Sequence, residues 1–324
     1  MKVLEEIKIP VEAHLDEFEK AFRQSLKSNV LLLDRITRYL VKRKGKQIRP
    51  LFVFLSAGAA GNINASTQRA ATLIELLHTA TLIHDDVVDD SNERRGTFSI
   101  NALWKNKIAV LVGDFLLSKG LLLSMDNRDY ELLRIVSNAT REMSEGELLQ
   151  IEKARRLDIE ESVYFEIIRK KTASLIASCC ASGAASAGCS EEMVNKFYEF
   201  GELTGIAFQI KDDLFDYNHN ANTGKPSGID LKEKKLTLPI IYLLQQLNRK
   251  EKRQAINIIK NQKAHPDKVK QLIEKVKEKG GIAYAEKMMM DYRRRAIELL
   301  HTFPESNYRD SLEHLVIYTT ERKK

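Results

Sequence analysis

From Leu51 to Lys225 the run of apolar and polar positions is rich in Ala, Leu and Glu, with few of the β-branched alternations that mark strands. All six prolines, Pro10, Pro50, Pro226, Pro239, Pro266 and Pro304, lie outside that interval. Proline is the strongest helix breaker, so the pattern predicts a run of helices. They are placed at about Pro10–Lys27, Val30–Lys42, Ile48–Ala59, Ser66–Asp89, Ile100–Leu123, Arg128–Arg155, Ile159–Ala187, Glu191–Tyr217, Leu236–Leu247, Lys250–Lys260, Pro266–Lys279 and Gly281–Phe303. The connectors are 45–47, 61–64, 91–99, 188–190 and 218–235. No shift in composition marks a boundary, and no tandem repeat of solenoid length is present. The expectation is an all-α fold: a single-domain helical bundle over residues 1–324 with a deep central cavity between facing helices.

The polar residues that matter most interrupt this apolar pattern at two places. Asp85, Asp86, Asp89 and Asp90 fall within six positions near the end of one predicted helix, and Arg94-Arg95-Gly96 follow. Asp85 and Asp89 are one turn apart on one face with Asp86 beside them, so unpaired they repel and weaken that turn. A hard divalent cation such as Mg²⁺, which binds through one or two carboxylates plus substrate phosphates, offsets the repulsion. A lone acidic run is equally a solvated helix face. A second Asp-Asp-x-x-Asp turn, Asp212, Asp213 and Asp216, in a similarly apolar setting favours metal binding.

The helix positions His78, Thr81, Asp85 and Asp89 form one stripe, charged at its mouth and small or apolar below, as expected of the wall of a slot. Gln209, Asp212, Asp213 and Asp216 share a face of the second helix, and Gly205 one turn earlier leaves room for a close approach. Two such turns in a common cavity could hold two or three Mg²⁺ ions and, through them, a diphosphate. Basic residues suited to phosphate lie nearby in the chain: Lys46 and Arg49, Arg94 and Arg95, Lys170 and Lys171, Lys225, and Lys234 and Lys235.

At 324 residues with 43% hydrophobic content, the chain can bury a large core. Its net charge of +7 is interspersed rather than striped, which argues against nucleic acid and suits an anionic substrate. Cys179, Cys180 and Cys189 sit in an Ala/Ser-rich stretch without histidines at ligand spacing and are expected to be packing residues. The first ten residues do not read as a signal peptide, and no run approaches the ~18 apolar residues of a membrane span. A cytoplasmic protein without a transmembrane segment is expected.

These motifs, in this order, resemble the trans-isoprenyl diphosphate synthases, most closely the polyprenyl members that make heptaprenyl, octaprenyl or solanesyl diphosphate. The resemblance runs from Gly45 to Pro239 and includes Gly45-Lys46-Gln47-Ile48-Arg49-Pro50, His78 to Asp89, Arg94-Arg95-Gly96, Gly113-Asp114, Glu145-Gly146-Glu147-Leu148-Leu149-Gln150, Lys171-Thr172 and Phe208 to Asp213. It implies an all-helical homodimer that condenses isopentenyl diphosphate with an allylic diphosphate such as farnesyl or geranylgeranyl diphosphate. By the same resemblance Asp85, Asp86, Asp89, Asp212, Asp213 and Asp216 hold the metals, and Arg94, Lys171, Lys225 and Lys235 hold the allylic diphosphate. Lys46, Arg49, His78 and Arg95 form the isopentenyl diphosphate pocket. Thr172 and Gln209 stand near the cation, and Arg322 caps the second pocket. Two departures are Asp90, where many relatives carry Glu, and the choice between Lys234 and Lys235, settled for Lys235 because Leu236-Thr237-Leu238-Pro239 follows it.

Product length follows from the floor of the slot, each helical turn deepening it by ~5.4 Å. Ala80 and Thr81 are small and Leu77 is moderate, so a growing tail should pass and a product of roughly hexaprenyl to decaprenyl length is expected. The alternative is a short-chain synthase making farnesyl or geranylgeranyl diphosphate, should neighbouring helices build a higher floor. A His-Asp metal phosphohydrolase, suggested by His84-Asp85, lacks further histidines at helical spacing, so His84 is expected to be a satisfied helix histidine beside the metal site. A catalytically dead regulatory subunit is disfavoured by the intact aspartate and arginine motifs.

Overall fold

The computed structural model describes residues 2–42, 45–94, 96–157, 159–217, 231, 233–261 and 266–322. The predicted helices are there. In chain order they are α1 (Lys2–Lys8), α2 (Glu12–Ser25), α3 (Leu31–Val41), α4 (Ile48–Ala60), α5 (Ala65–Val88), α6 (Ile100–Asp126), α7 (Tyr130–Arg156), α8 (Glu161–Ile168), α9 (Ser174–Ser186), α10 (Glu191–Phe215), α11 (Leu238–Gln246), α12 (Arg249–Lys260), α13 (Pro266–Glu278), α14 (Gly281–Leu300) and α15 (Asn307–Glu321). The described residues fall into two compact units of interleaved segments: 1–140, 178–198 and 303–312 in the first, 141–177, 199–302 and 313–324 in the second.

In the first unit α4 is apolar all round after Arg49 in its first turn, and Leu51 to Leu55 are fully buried, as a helix covered on every side must be. α5 packs along α4 and α6. Its start is fixed by a capping box: Asn64 Oδ1 accepts from the backbone of Ser66 at 2.8 Å and Thr67 at 3.2 Å, while Thr67 Oγ1 accepts from Asn64 N. The connector 91–99 contains a two-stranded antiparallel ribbon, β1 (Glu93–Arg94) with β2 (Thr97–Phe98), turned by Gly96 at φ 74°. Glycine meets no steric penalty there.

α6 corrects one expectation. By length and composition it is apolar enough to cross a membrane, and 33% of its apolar stretch is buried inside the protein. Gly113-Asp114 and Lys119 interrupt the apolar segment, so no unbroken apolar run of that length occurs in the sequence. Leu103, Val110, Leu111, Leu121, Leu122 and Met125 remain 40% to 56% exposed.

In the second unit the predicted helix Ile159–Ala187 is divided. Arg169–Ala173 forms a π turn between α8 and α9, with Ser174 N donating to Arg169 O. Such single π turns are frequent at functional sites, and this one carries Lys171 and Thr172. The expected close approach at Gly205 is present: a Cβ there would lie 2.5 Å from Ala173 Cα, and one at Gly201 2.6 Å from Ala177 Cα. Glycines four apart share a helix face, so α10 lies directly against the π turn and the start of α9.

Two helices escape the sequence pattern. α1 ends just before Pro10, which reads as the start of the next helix. α15 carries Val316, Ile317, Thr319 and Thr320, residues of weak helix propensity, yet Leu312, Leu315, Val316 and Thr319 are buried at helical spacing. Cys179 and Cys180 are fully buried and unbridged. Burial pushes the Cys180 thiol up to about 12 and raises Cys179 as well, which fits inert packing residues.

Candidate active site

The first aspartate turn closes α5. Asp86 is 4% exposed, Asp85 half-buried and Asp89 exposed. The helix end is tied down from beyond itself: Asp86 O accepts from Ser91 N at 2.9 Å and Asn101 Nδ2 at 3.1 Å, and Ser99 Oγ donates to Ser91 O at 2.6 Å. Asp90 has φ 49°. Aspartate tolerates that left-handed conformation better than longer side chains.

Both aspartate turns sit at the C-terminal ends of their helices, α5 and α10. A helix C-terminus carries partial negative charge, so carboxylates there are unfavourable twice over, by mutual repulsion and by the dipole. The donors are hard carboxylate oxygens, which fit Mg²⁺ or Ca²⁺. Among the described residues no three acidic, imidazole or thiol groups already converge as a metal cage.

Around the first turn, His78 and Thr81 are half-buried, while Leu77 and Ala80 are buried. Ala80 packs in an apolar cluster with Leu76, Ile83, Val112 and Leu116. His84 is a satisfied histidine, as expected: Nε2 lies 3.3 Å from Val110 O and 3.6 Å from Asp114 Oδ1, and the ring covers Gly113, where any Cβ would collide with it. Lys46 and Arg49 stand at the start of α4. Arg49 grips Glu75 with two prongs, Nε to Oε2 at 3.1 Å and Nη2 to Oε1 at 3.4 Å, which orients the guanidinium fork. Arg94 lies in the ribbon. Arg95 and Lys225 lie outside the described residues.

The second aspartate turn adjoins a cavity of about 140 Å³ whose lining includes Tyr164, Lys171, Thr172, Gln209, Asp213 and Lys235. A polar chain runs along it. Thr172 Oγ1 donates to Gln209 Oε1 at 2.7 Å, Gln209 Nε2 donates to Asp213 Oδ1 at 2.8 Å, and Tyr164 Oη donates to Asp213 Oδ2 at 2.7 Å. Lys171 reaches Gln150 at 3.3 Å and pairs closely with Glu147. Gly146, where a Cβ would lie 2.8 Å from Lys171 N, lets α7 approach the π turn. Within the Glu145–Gln150 motif, Glu147 and Gln150 contact Lys171, while Glu145 accepts from Lys170 at 3.0 Å. Lys235 lines the cavity and also contacts Glu233 at 2.6 Å. Arg322 pairs with Asp212, its guanidinium 4.2 Å from the centre of Phe208 and 5.6 Å from that of Phe215.

The sequence pattern missed Tyr164. A lone tyrosine on an amphipathic helix looks like a core residue, and its partner is 49 positions away.

An all-helical fold with two aspartate turns and phosphate-suited lysines defines a diphosphate-handling prenyltransferase, and the polyprenyl synthetase family model matches residues 30–276. The chain belongs to that family. It is 36% identical over 322 residues to an all-trans-nonaprenyl-diphosphate synthase (geranyl-diphosphate specific) of Rhodobacter capsulatus, covering 98% of both chains. It superposes on a polyprenyl synthase from Caulobacter crescentus, solved with calcium and isoprenyl diphosphate, with a TM-score of 0.90, 31% identity and coverage of 99% and 98%. It also matches a geranylgeranyl pyrophosphate synthase from Bacteroides thetaiotaomicron, with a TM-score of 0.84, 38% identity and coverage of 99% and 100%.

Proposed function

We propose that the protein is a trans-polyprenyl diphosphate synthase that adds isopentenyl diphosphate units to an allylic diphosphate, farnesyl or geranylgeranyl, to give a medium-to-long product. The observation that carries this is the second aspartate turn with Lys171, Thr172, Gln209 and Lys235 on one small cavity.

Asp85, Asp86, Asp89, Asp212, Asp213 and Asp216 are the residues that would hold Mg²⁺. Bound there, two or three ions supply Lewis acidity and a template for the diphosphate leaving group. Lys171 and Lys235, with Arg94 and Lys225, hold the allylic diphosphate. Lys46, Arg49, His78 and Arg95 hold isopentenyl diphosphate, and the Glu75 pair keeps the Arg49 fork in one orientation. The allylic carbon–oxygen bond breaks, and the electron pair leaves with the diphosphate. The isopentenyl double bond attacks the allylic cation, the resulting cation loses a proton to the departed diphosphate, and the chain is longer by one isoprene unit. Thr172 donates its single proton to Gln209, so its oxygen offers lone pairs to the neighbouring positive charge.

Incubation with Mg²⁺, isopentenyl diphosphate and farnesyl diphosphate, followed by mass spectrometry of the dephosphorylated products, tests the proposal. A ladder ending at one long polyprenol is expected. A stop at geranylgeraniol favours the short-chain alternative, which the likeness to the Bacteroides thetaiotaomicron protein supports. No product from any allylic primer overturns both.

The exposed side of α6 supports a homodimer. Val110, Leu111, Leu121, Leu122 and Met125 recur at helical spacing on it, and an apolar stripe of that length seldom faces water on a stable monomer. Leu111→Glu combined with Leu122→Glu is expected to halve the mass seen by sedimentation velocity. An unchanged mass places the contact elsewhere.

A further inference from the structure

We infer that Tyr164 is a positioning residue that fixes the Asp213 carboxylate of the second aspartate turn. The inference rests on the reading of that turn as a metal-binding element.

Tyr164 is 4% exposed and Asp213 is 7% exposed. Each carboxylate oxygen has its own donor, Tyr164 Oη on Oδ2 at 2.7 Å and Gln209 Nε2 on Oδ1 at 2.8 Å. A carboxylate held from both sides keeps one rotamer. The two donors come from different elements, α8 and α10, so the hydroxyl also ties the aspartate turn to the helix that leads into Lys171 and Thr172.

The arrangement is directional. Asp213 as a carboxylate only accepts, so Gln209 must turn its amide nitrogen toward it, and its amide oxygen then receives Thr172. Tyr164 therefore acts on Thr172 through Asp213 and Gln209, two residues away. Without the hydroxyl, Asp213 can pivot, and the amide loses the anchor that sets its orientation. The ring itself is held independently, edge-on against Phe165 with centroids 5.3 Å apart, so removing the hydroxyl alone leaves the packing in place.

Outer residues that orient metal-binding carboxylates commonly contribute ~10–100-fold to metal affinity or activity. A tyrosine that merely satisfies a buried polar group would alter stability and leave metal binding unchanged. The test is Mn²⁺ binding in the presence of inorganic diphosphate, followed by electron paramagnetic resonance, for wild type, Tyr164→Phe and Tyr284→Phe. Tyr284 is a matched control in the same unit: its hydroxyl donates to Glu161 at 2.6 Å, and its ring stacks on Tyr242.

Tyr164→Phe is expected to keep the wild-type circular dichroism and to bind Mn²⁺ about tenfold or more weakly. Its KM for the allylic diphosphate should rise, with that for isopentenyl diphosphate unchanged, and Tyr284→Phe should bind Mn²⁺ as wild type does. In an Asp213→Asn background the added Tyr164→Phe change should have little further effect on Mn²⁺ binding, because the tyrosine acts through Asp213. Wild-type Mn²⁺ affinity in Tyr164→Phe, or an equal loss in Tyr284→Phe, overturns the inference while leaving the turn's metal role standing. Wild-type protein that takes up no Mn²⁺ with diphosphate overturns the metal reading and this inference with it.

Discussion

Asp85→Ala is expected to lower turnover by about a thousandfold or more, since a metal's charge stabilisation is worth several kcal/mol and each ~1.36 kcal/mol is tenfold in rate. The fold should survive. Asp85 is half-buried on the last turn of α5, where its charge opposes both Asp86 and Asp89 and the negative helix end. Asp85 is not part of the apolar core, so in metal-free buffer the variant should keep the wild-type circular dichroism and melt close to the wild-type midpoint. Product formation by mass spectrometry and thermal melting by circular dichroism check the two halves separately. Full activity in a well-folded variant would remove Asp85 from the metal site.

The second large effect concerns product length. Ala80→Phe is expected to end the product ladder at about geranylgeranyl length or below, because position 80 lies only about 7.5 Å along the helix axis from Asp85, five residues at ~1.5 Å each. Ala80 is fully buried beside Leu76, Ile83, Val112 and Leu116, so a phenyl ring must either fill the slot or displace those neighbours. Displacement would appear as overpacking, about 1–3 kcal/mol of lost stability. A stable variant with an unchanged longest product would show that the tail follows another path. A shortened product ties chain length to this helix.

Local features of this fold were legible in the sequence, and distant pairings were not. Helices such as α4 and α5 follow from neighbouring residues, through apolar periodicity and caps such as Asn64. The aspartate turns, His84 as a satisfied helix residue and the close approach at Gly205 were readable for the same reason. Other features depend on residues far apart in the chain: Tyr164 on Asp213, Arg49 on Glu75 and Arg322 on Asp212, the last 110 positions away. α15 needed tertiary burial to override weak propensity. The membrane-length character of α6 was hidden by a few charged positions, whereas an average over the helix reveals it.

The π turn at Arg169–Ala173 also bears on how this chain can change over evolution. An i→i+5 loop holds one residue more than an α-turn, and one residue in an α-helix corresponds to a rotation of about 100°. Deleting a single codon here would let the segment close into regular α-helix and swing Lys171 and Thr172 away from Gln209, with every side chain of the site still encoded. Point substitutions nearby leave that phase untouched. The segment is therefore far more sensitive to a one-residue length change than to most changes of side chain, the reverse of what holds in a surface loop.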